Sequence, residues 1–113
     1  HRDDSMMSYL GRGSHYSECG FLYWNCKHSH TLKYAQEMQD MYNKDFIYNE
    51  KQQHDSFIWD LVRKRFEANY GIKNHNLGDG KTGHVQARSI LGSVYDHTKG
   101  QRKVSGKSPE FKR

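Results

Sequence analysis

The 113-residue chain has room for one domain, and its 18 basic and 13 acidic residues give a formal net charge of +5. That charge fits an anionic partner, such as a nucleic acid or a phosphorylated small molecule, and it fits plain solubility equally well. No apolar run approaches the ~18 residues that a membrane span requires, so we expect no membrane span.

The apolar content is low for a complete globular domain. Ile, Leu, Val and Phe together make up 19 of the 113 residues, a level at which disorder becomes a concern. Aromatic residues nevertheless reach 13%, whereas disordered chains are poor in them. The sequence also begins at His1 and not at a Met. We therefore expect an incomplete domain, whose missing N-terminal half supplies the rest of the core.

The two cysteines do not predict a disulfide framework. Cys19 and Cys26 are seven positions apart, which on a straight strand is about 23 Å. That distance is too long for a disulfide unless the chain turns between them. We therefore expect a reducing compartment, and we assign the chain to the cytoplasm.

Two strands are predicted in the first quarter of the chain. Residues 6–10 form a short strand, which a polar loop follows. Residues 21–24, "FLYW", are a continuous apolar run between Gly20 and Asn25. Such a run is typical of a strand buried on both faces, in a mixed or parallel sheet that helices cover.

The first predicted helix is Thr31 to Asn43, with Ser29 or Thr31 as its cap. Apolar residues recur through it at helical spacing and predict a buried face, made of Leu32, Ala35, Met38, Met41 and Tyr42. Residues 46–48 are predicted as a short turn or strand.

The second predicted helix is Asp55 to Tyr70, capped by Asp55 or Ser56 and ended by Gly71. Its apolar stripe comprises Phe57, Ile58, Leu61, Val62 and Phe66. Its solvated side comprises Arg63, Lys64, Arg65 and Glu67.

The chain changes character after Gly71. Residues 74–84, "NHNLGDGKTGH", hold three glycines and predict a loop, and residues 85–97 predict a short helix or a pair of strands. We assign residues 1–103 to the domain and residues 104–113 to a basic tail, which contains the single Pro.

Two sets of residues suggest metal chemistry and fit it poorly. Cys19, Cys26, His28 and His30 are zinc-type ligands, but their spacing departs from that of structural zinc sites. The segment "HVQARSILGSVYDHTKGQRK" has the His pair of a His-Asn-His nuclease, yet it shows no clear hairpin and no cysteine pair.

A third set combines acidic and basic groups. Glu18 precedes the apolar strand, and His54 and Asp55 open the second helix, where the helix N-terminus favours an anion. These carboxylates could accept hydrogen bonds from a hydroxyl-rich ligand, or could simply be a surface acid and an N-cap. The later segment "DHTKGQRK" offers an imidazole for a divalent metal and cations for a diphosphate, or it could be a plain basic tail.

Taken in order, these segments resemble the second half of a metal-dependent, nucleotide-sugar glycosyltransferase of the GT-A fold. "ECGFLYWN" resembles the family's strand of sugar- and acceptor-facing residues, "HDSFIWDLVR" its acidic helix opening, and "DHTKGQRK" its late His-Gly-Lys element. The order "YLGR…H…ECGF…N…H…HDS…DxxR" is also similar to glycosyltransferases of bacteria and large tailed phages. The resemblance covers residues 8–103 and rests on short motifs in a matching order.

The resemblance implies transfer of a sugar from a nucleotide-sugar donor to a hydroxyl acceptor, assisted by Mn²⁺ or Mg²⁺. It implies that Glu18 and Asp55 bind hydroxyls, one of them as a catalytic base, and that His97 is a metal ligand. Substrate-binding residues would be Trp24, Asn25, His54, Lys99, Arg102 and Lys103. The Asp-x-Asp metal motif of the donor-binding half is absent, and Ser56 stands where many relatives have Gln.

Two hypotheses from other functional classes remain beside the transferase. A small basic nucleic-acid-binding protein or nuclease-like module would use basic side chains on phosphates. The candidates are Arg63, Lys64, Arg65, Arg88, Lys99, Arg102 and Lys103. Their scatter along the chain argues against nucleic acid as a partner. The other reading is a structural or accessory piece of a larger particle.

Overall fold

The computed structural model of the chain describes residues 4–13, 16–81 and 85–94. Three strands form a mixed sheet in the order β2-β1-β3. β1 is Met7–Leu10, β2 is Glu18–Trp24 and β3 is His75–Asn76. β1 is antiparallel to β2 and parallel to β3. The predicted mixed α/β class is therefore confirmed, with the central strand nearest the start of the chain.

β2 starts three residues earlier than the predicted strand. The pairing of Tyr9 with Leu22 gives way to that of Leu10 with Glu18, so a bulge falls between Tyr9 and Leu10. The expectation that this strand is buried on both faces is wrong. Tyr23 is 45% exposed, because the two long helices pack against the opposite face of β2, where Leu22 meets the core.

Both long helices have the predicted bounds. α1 is Thr31–Asn43 and α2 is Asp55–Tyr70. Gly71 ends α2 with a φ of 63°, a left-handed conformation that glycine adopts without steric cost.

The predicted caps of both helices are wrong. The N-cap positions are His30 and His54, and neither side chain caps its helix by a hydrogen bond. Thr31 instead donates its hydroxyl to the carbonyl of Asn25, and Asp55 accepts from the backbone N–H of Ser56. Phe46–Asn49 forms a 3₁₀ helix between α1 and α2.

The buried face of α1 is rotated from the predicted one. Leu32 is 70% exposed and Tyr42 40%, whereas Tyr34 is fully buried. Tyr34 takes the inner position because its hydroxyl donates to the Trp59 carbonyl at 2.7 Å. Its ring also packs on Trp24, with 5.3 Å between centroids. An amphipathic aromatic side chain therefore replaces the expected leucine at the α1–α2 contact.

The core lies between the sheet and the two long helices. It contains Met6 and Met7 from the first strand region, Tyr34 and Met41 from α1, a run of α2 residues, and Ile72. The α2 members are Ile58, Trp59, Val62 and Phe66. Burial of this face supplies the main drive to fold.

The end of the described chain adds short elements. The predicted loop at residues 74–84 contains β3, whose two residues are too few to produce a sequence pattern. Of the two alternatives predicted for residues 85–97, the structure has the short helix, α3 at Val85–Arg88, followed by the 3₁₀ helix Ile90–Ser93. Among the described helices, none has the length and apolarity to cross a membrane. The predicted boundary at residue 104 lies outside the described ranges.

Glycine allows two distant loops to touch. A Cβ at Gly78 would overlap the backbone of Gly11, and one at Gly13 would overlap the carbonyl of Gly80. The loop after β1 therefore lies directly on the loop after β3, and the absence of side chains at this crossing is a requirement for the close approach. This crossing holds one wall of the cleft described next.

Candidate functional site

A polar cleft of about 570 Å³ lies between the loop after β1, the first half of α2 and β3. This volume falls in the range of small-molecule sites. Three aromatic side chains line it, Tyr9, Tyr16 and Phe57. Its polar lining comprises Arg12, Ser17, Gln52, Asp60, Lys64 and Asn76, with Arg63 at its base. The cleft therefore joins apolar ring faces to hydrogen-bonding groups.

Asp60 fixes the loop after β1 to α2. Its carboxylate accepts from the backbone N–H and from the hydroxyl of Ser17, both at 2.7 Å. The side chain is 9% exposed, although it stands in the middle of a helix whose neighbouring positions are apolar. Two short hydrogen bonds to one charged, buried group place Ser17 firmly at the cleft wall.

Arg63 lies one turn further along α2 and is also buried. It donates to Asp60 and, at 2.7 Å, to Glu67, and its guanidinium stacks over the Tyr9 ring at 4.2 Å. Burial alone would lower the Arg63 pKa, but its interactions with Tyr9, Glu67 and Asp60 raise the pKa above its ordinary value. The prediction of a solvated Arg63 is wrong, because these partners replace its water shell.

Arg12 and Glu18 form a second buried ion pair beside the first. Their closest atoms are 2.6 Å apart, with the side chains 12% and 9% exposed. Glu18 also accepts from the backbone N–H of Gly20 at 2.9 Å. The Arg12 Nε is buried and has no hydrogen-bond partner within the part of the chain that the structure describes. Glu18 therefore lies behind Arg12 and does not line the cleft itself.

His54 and Asp55 lie at the N-terminus of α2, close to Cys19 at the start of β2, and neither lines the cleft. The His54 ring is 5.6 Å from the ring of Tyr16, one of the cleft aromatics. Burial raises the pKa of the Cys19 thiol to about 11, against a lowering hydrogen bond to Ser56, and the charges of Asp55, Asp60 and Glu18 add to the rise. Glu18 and Asp55 thus both act on one thiol, so the fold brings these two predicted residues into one neighbourhood.

Trp24 and Asn25 lie away from the cleft. They follow Glu18 by six and seven positions along β2, a separation of about 20 Å. Trp24 packs on Tyr34, and Asn25 donates its amide to the Ser5 carbonyl at 3.1 Å. Neither lines the cleft, and the structure separates these two predicted substrate-binding residues from Glu18, His54 and Asp55.

The remaining predicted residues, His97, Lys99, Arg102 and Lys103, lie outside the described ranges. Within residues 4–13, 16–81 and 85–94, no three His, Cys, Asp or Glu side chains come together in a metal-binding group. The described part of the chain does not by itself fit a Mn²⁺ or Mg²⁺ ion. Both cysteines are free, Cys26 being exposed and Cys19 half-buried.

Sequence reasoning missed Arg12, Ser17 and Asp60 as cleft residues. One signal was available for Asp60, because an acidic residue within the apolar stripe of a helix is buried only with partners. Its spacing of three from Arg63 also places both charges on one helix face. Arg12 carried no such signal. Its partner Glu18 lies at the start of β2, and only the loop after β1 and the bulge between Tyr9 and Leu10 bring the two side chains together.

Comparison of the chain with protein-family models, with curated proteins and with solved structures gave no match. The cleft and the order of the sequence motifs are therefore the basis for a function.

Proposed function

We propose that this chain is the acceptor-side part of a GT-A-type glycosyltransferase, which transfers a sugar from a nucleotide-sugar donor to a hydroxyl acceptor. The observation that carries the proposal is the composition of the cleft, in which Tyr9, Tyr16 and Phe57 stand beside fixed charged and amide groups. The mixed sheet with two helices on one face would be half of the GT-A sheet, and a separate stretch of protein would bind the nucleotide.

A sugar suits this lining for a physical reason. A pyranose ring presents apolar C–H faces and a rim of hydroxyls that both donate and accept. Aromatic rings such as those of Tyr16 and Phe57 pack well against the C–H faces. Amide groups such as those of Gln52 and Asn76 form hydrogen bonds with the hydroxyls of the rim. A purely apolar ligand would leave these polar groups desolvated without partners.

Of the two predicted catalytic carboxylates, Asp55 is the better general base. It is exposed, and its Oδ1 accepts one bond from the Ser56 N–H, so the carboxylate retains acceptor capacity for an acceptor hydroxyl. Glu18 has each oxygen engaged, one by Arg12 and one by Gly20. We assign Glu18 to positioning Arg12. Asp55 does not line the cleft itself, and we assign it to proton abstraction from an acceptor hydroxyl at the edge of the cleft, beside His54 and Tyr16.

The metal remains part of the proposal on the strength of the motif order. A Mn²⁺ or Mg²⁺ ion would stabilise the leaving diphosphate as a Lewis acid. His97 is the predicted ligand, and Lys99, Arg102 and Lys103 would compensate the phosphate charge. All four lie outside the described residues, and no step above depends on them.

The nucleic-acid reading is weakened by the position of Arg63. The run Arg63, Lys64, Arg65 was its densest group of cations, but Arg63 is turned inward and neutralised by Asp60 and Glu67. The two exposed cations that remain do not form a stripe able to follow a phosphate backbone.

The test is thermal unfolding of the 113-residue chain with Mn²⁺ and a panel of nucleoside diphosphates and nucleotide sugars, with single-stranded DNA as the control. Only a ligand that binds the folded state raises the unfolding temperature. We expect a metal-dependent shift with one nucleotide or nucleotide sugar. A shift with DNA alone, lost on adding salt, would contradict the proposal.

A complementary test follows sugar transfer by the chain, or by the longer protein that contains it. Asp55→Asn should lower kcat by at least a hundredfold, the usual share of a general base. Asp40→Asn, at a helical acid that pairs with Lys44, should leave kcat unchanged. Equal activity of the two variants would remove Asp55 from the mechanism.

A further inference from the structure

The charged acceptors around the cleft are already occupied by the protein. Asp60 accepts from Ser17 through both oxygens and from Arg63. Glu18 accepts from Arg12, and Glu67 accepts from Arg63. A ligand entering the cleft therefore meets carboxylates whose hydrogen-bonding capacity is largely used.

The donors are not matched in the same way. Among the described residues Arg12 Nε is buried without a partner, and its NH1 donates to the Tyr16 carbonyl at a long 3.5 Å. Asn76 uses its oxygen on the N–H groups of Gly11 and Gly78, at 2.9 and 2.8 Å. These bonds fix the amide orientation and leave Nδ2 as the donor. Lys64 lines the cleft with an exposed side chain, and no carboxylate pairs with it among the described residues.

We propose that the ligand of this cleft carries an anionic group, held by Lys64, Arg12 and Asn76. The inference rests on the proposed function in one respect, that the ligand is a sugar. Its chemical class is then an acidic sugar, bearing either a carboxylate or a phosphate. A buried donor without an acceptor is costly and calls for an explanation, and an anion with several acceptor lone pairs supplies one.

The charges around the cleft favour a ligand of low charge. Arg12 is paired with Glu18, and Arg63 is paired with Asp60 and Glu67. With Lys64, three cations then face three carboxylates, and Lys64 is the cation without a carboxylate partner among the described residues. Because these charges sum to zero, a monoanion adds less unbalanced charge than a dianion, which fits a uronic acid better than a phosphate dianion. Charge-assisted hydrogen bonds are shorter and stronger than neutral ones, so the preference should be measurable.

The experiment compares two sugars that differ in one group. Methyl β-glucuronide has a carboxylate where methyl β-glucoside has a hydroxymethyl, and glucose 6-phosphate places a phosphate at the same carbon. Binding of each to the 113-residue chain is followed by chemical-shift titration. We expect the glucuronide to bind about tenfold more tightly than the glucoside, which corresponds to about 1.4 kcal/mol. A stronger response to the phosphate would name phosphate as the anion.

Lys64→Gln tests the residue assignment. It should abolish the preference for the acidic sugar. Arg65→Gln is the matched control, because it removes the same charge at the next position but does not line the cleft. Arg65→Gln should retain the preference for the acidic sugar. Arg12→Lys, which retains a charge beside Glu18, should weaken it, provided that circular dichroism shows the native fold.

Equal binding of glucuronide and glucoside would overturn this inference while leaving the transferase proposal intact. Equal effects of Lys64→Gln and Arg65→Gln would also overturn it, because the preference would then reflect net charge alone. Absence of sugar binding to the folded chain would overturn it as well. The transferase proposal is judged separately, by the response to nucleotides and by sugar transfer.

Discussion

The two sides of α2 hold the molecule together by different means. Toward α1, the contacts are aromatic, with the Tyr34 and Phe66 ring centroids 5.3 Å apart at a steep angle. Toward the cleft, the same helix presents Asp60 and Arg63, each less than a tenth exposed and each held by charged partners. One helix thus separates an apolar interior from a buried ionic network.

The two sides of α2 differ in how a substitution lowers the free energy of unfolding. Aromatic packing depends on volume, so its free energy falls with each atom removed. An ionic network stabilises the fold only when every buried charge has its partner, because removing one member leaves another charge buried and unpaired. The first side therefore serves as scaffold, whereas the second orients the groups that line the cleft. The following four changes test this division, from the largest expected effect to the smallest.

Phe66→Ala should have the largest effect on stability, lowering the free energy of unfolding by about 3 to 5 kcal/mol because it empties a fully buried position. Urea denaturation at neutral pH measures the loss. Phe46→Ala is the matched control, since Phe46 is 45% exposed, and it should cost far less. Similar losses in both variants would mean that the α1–α2 contact is not the scaffold.

Asp60→Asn retains the shape of the side chain but removes its charge. We expect a loss of about 1 to 3 kcal/mol, because Arg63 keeps its charge with a weaker partner. Asp40→Asn breaks an exposed pair with Lys44 and should cost less than about 0.5 kcal/mol. If both variants unfold at the same urea concentration, completeness of the network does not matter.

Tyr34→Phe removes one hydroxyl from the aromatic side without changing its packing. The lost bond to the Trp59 carbonyl should cost about 0.5 to 1.5 kcal/mol. Tyr48→Phe, at a position 71% exposed, should be neutral in the same denaturation experiment. A loss above that of Asp60→Asn would reverse the ranking of the two sides.

The Cys19 thiol predicts a mild alkaline effect. Its pKa rises from 9.0 in the unfolded chain to about 11 in the fold, chiefly through burial. The folded state then retains a proton that the unfolded state loses, so stability falls as the pH rises from about 9 to 11. Cys19→Ala should flatten this fall, measured as unfolding free energy against pH. Cys26→Ala, at an exposed position, should leave the curve unchanged.

The sequence was sufficient to predict the bounds of the two long helices, but not which face of α1 is buried. Gly71 and the apolar periodicity fixed the end and the course of α2, because both signals are local. The inward face of α1 was mispredicted, since Leu32 is more apolar than Thr31 or Tyr34. The choice was decided by a distant partner, the Trp59 carbonyl, and no local pattern encodes it.

The site was less predictable than the helices. Glu18, His54 and Asp55 were identified from their positions at element ends, and the fold gathers them near one end of β2. Arg12 and Asp60 were missed because their burial depends on pairing across the loop after β1. The strand β3 escaped notice because two residues cannot establish a period.

The parallel pairing of β1 with β3 has a consequence for synthesis of the chain. The central strand of the sheet is made early, but its second neighbour follows much later, since Met7 bonds to Asn74 across 67 positions. At ribosomal speed that delay is roughly 3 to 13 s. During this time β1 can pair only with β2, and the residues of both long helices are synthesised before those of β3. The sheet is therefore completed after its covering layer is synthesised, and the edge of β1 that later receives β3 stays open to nascent-chain chaperones until then.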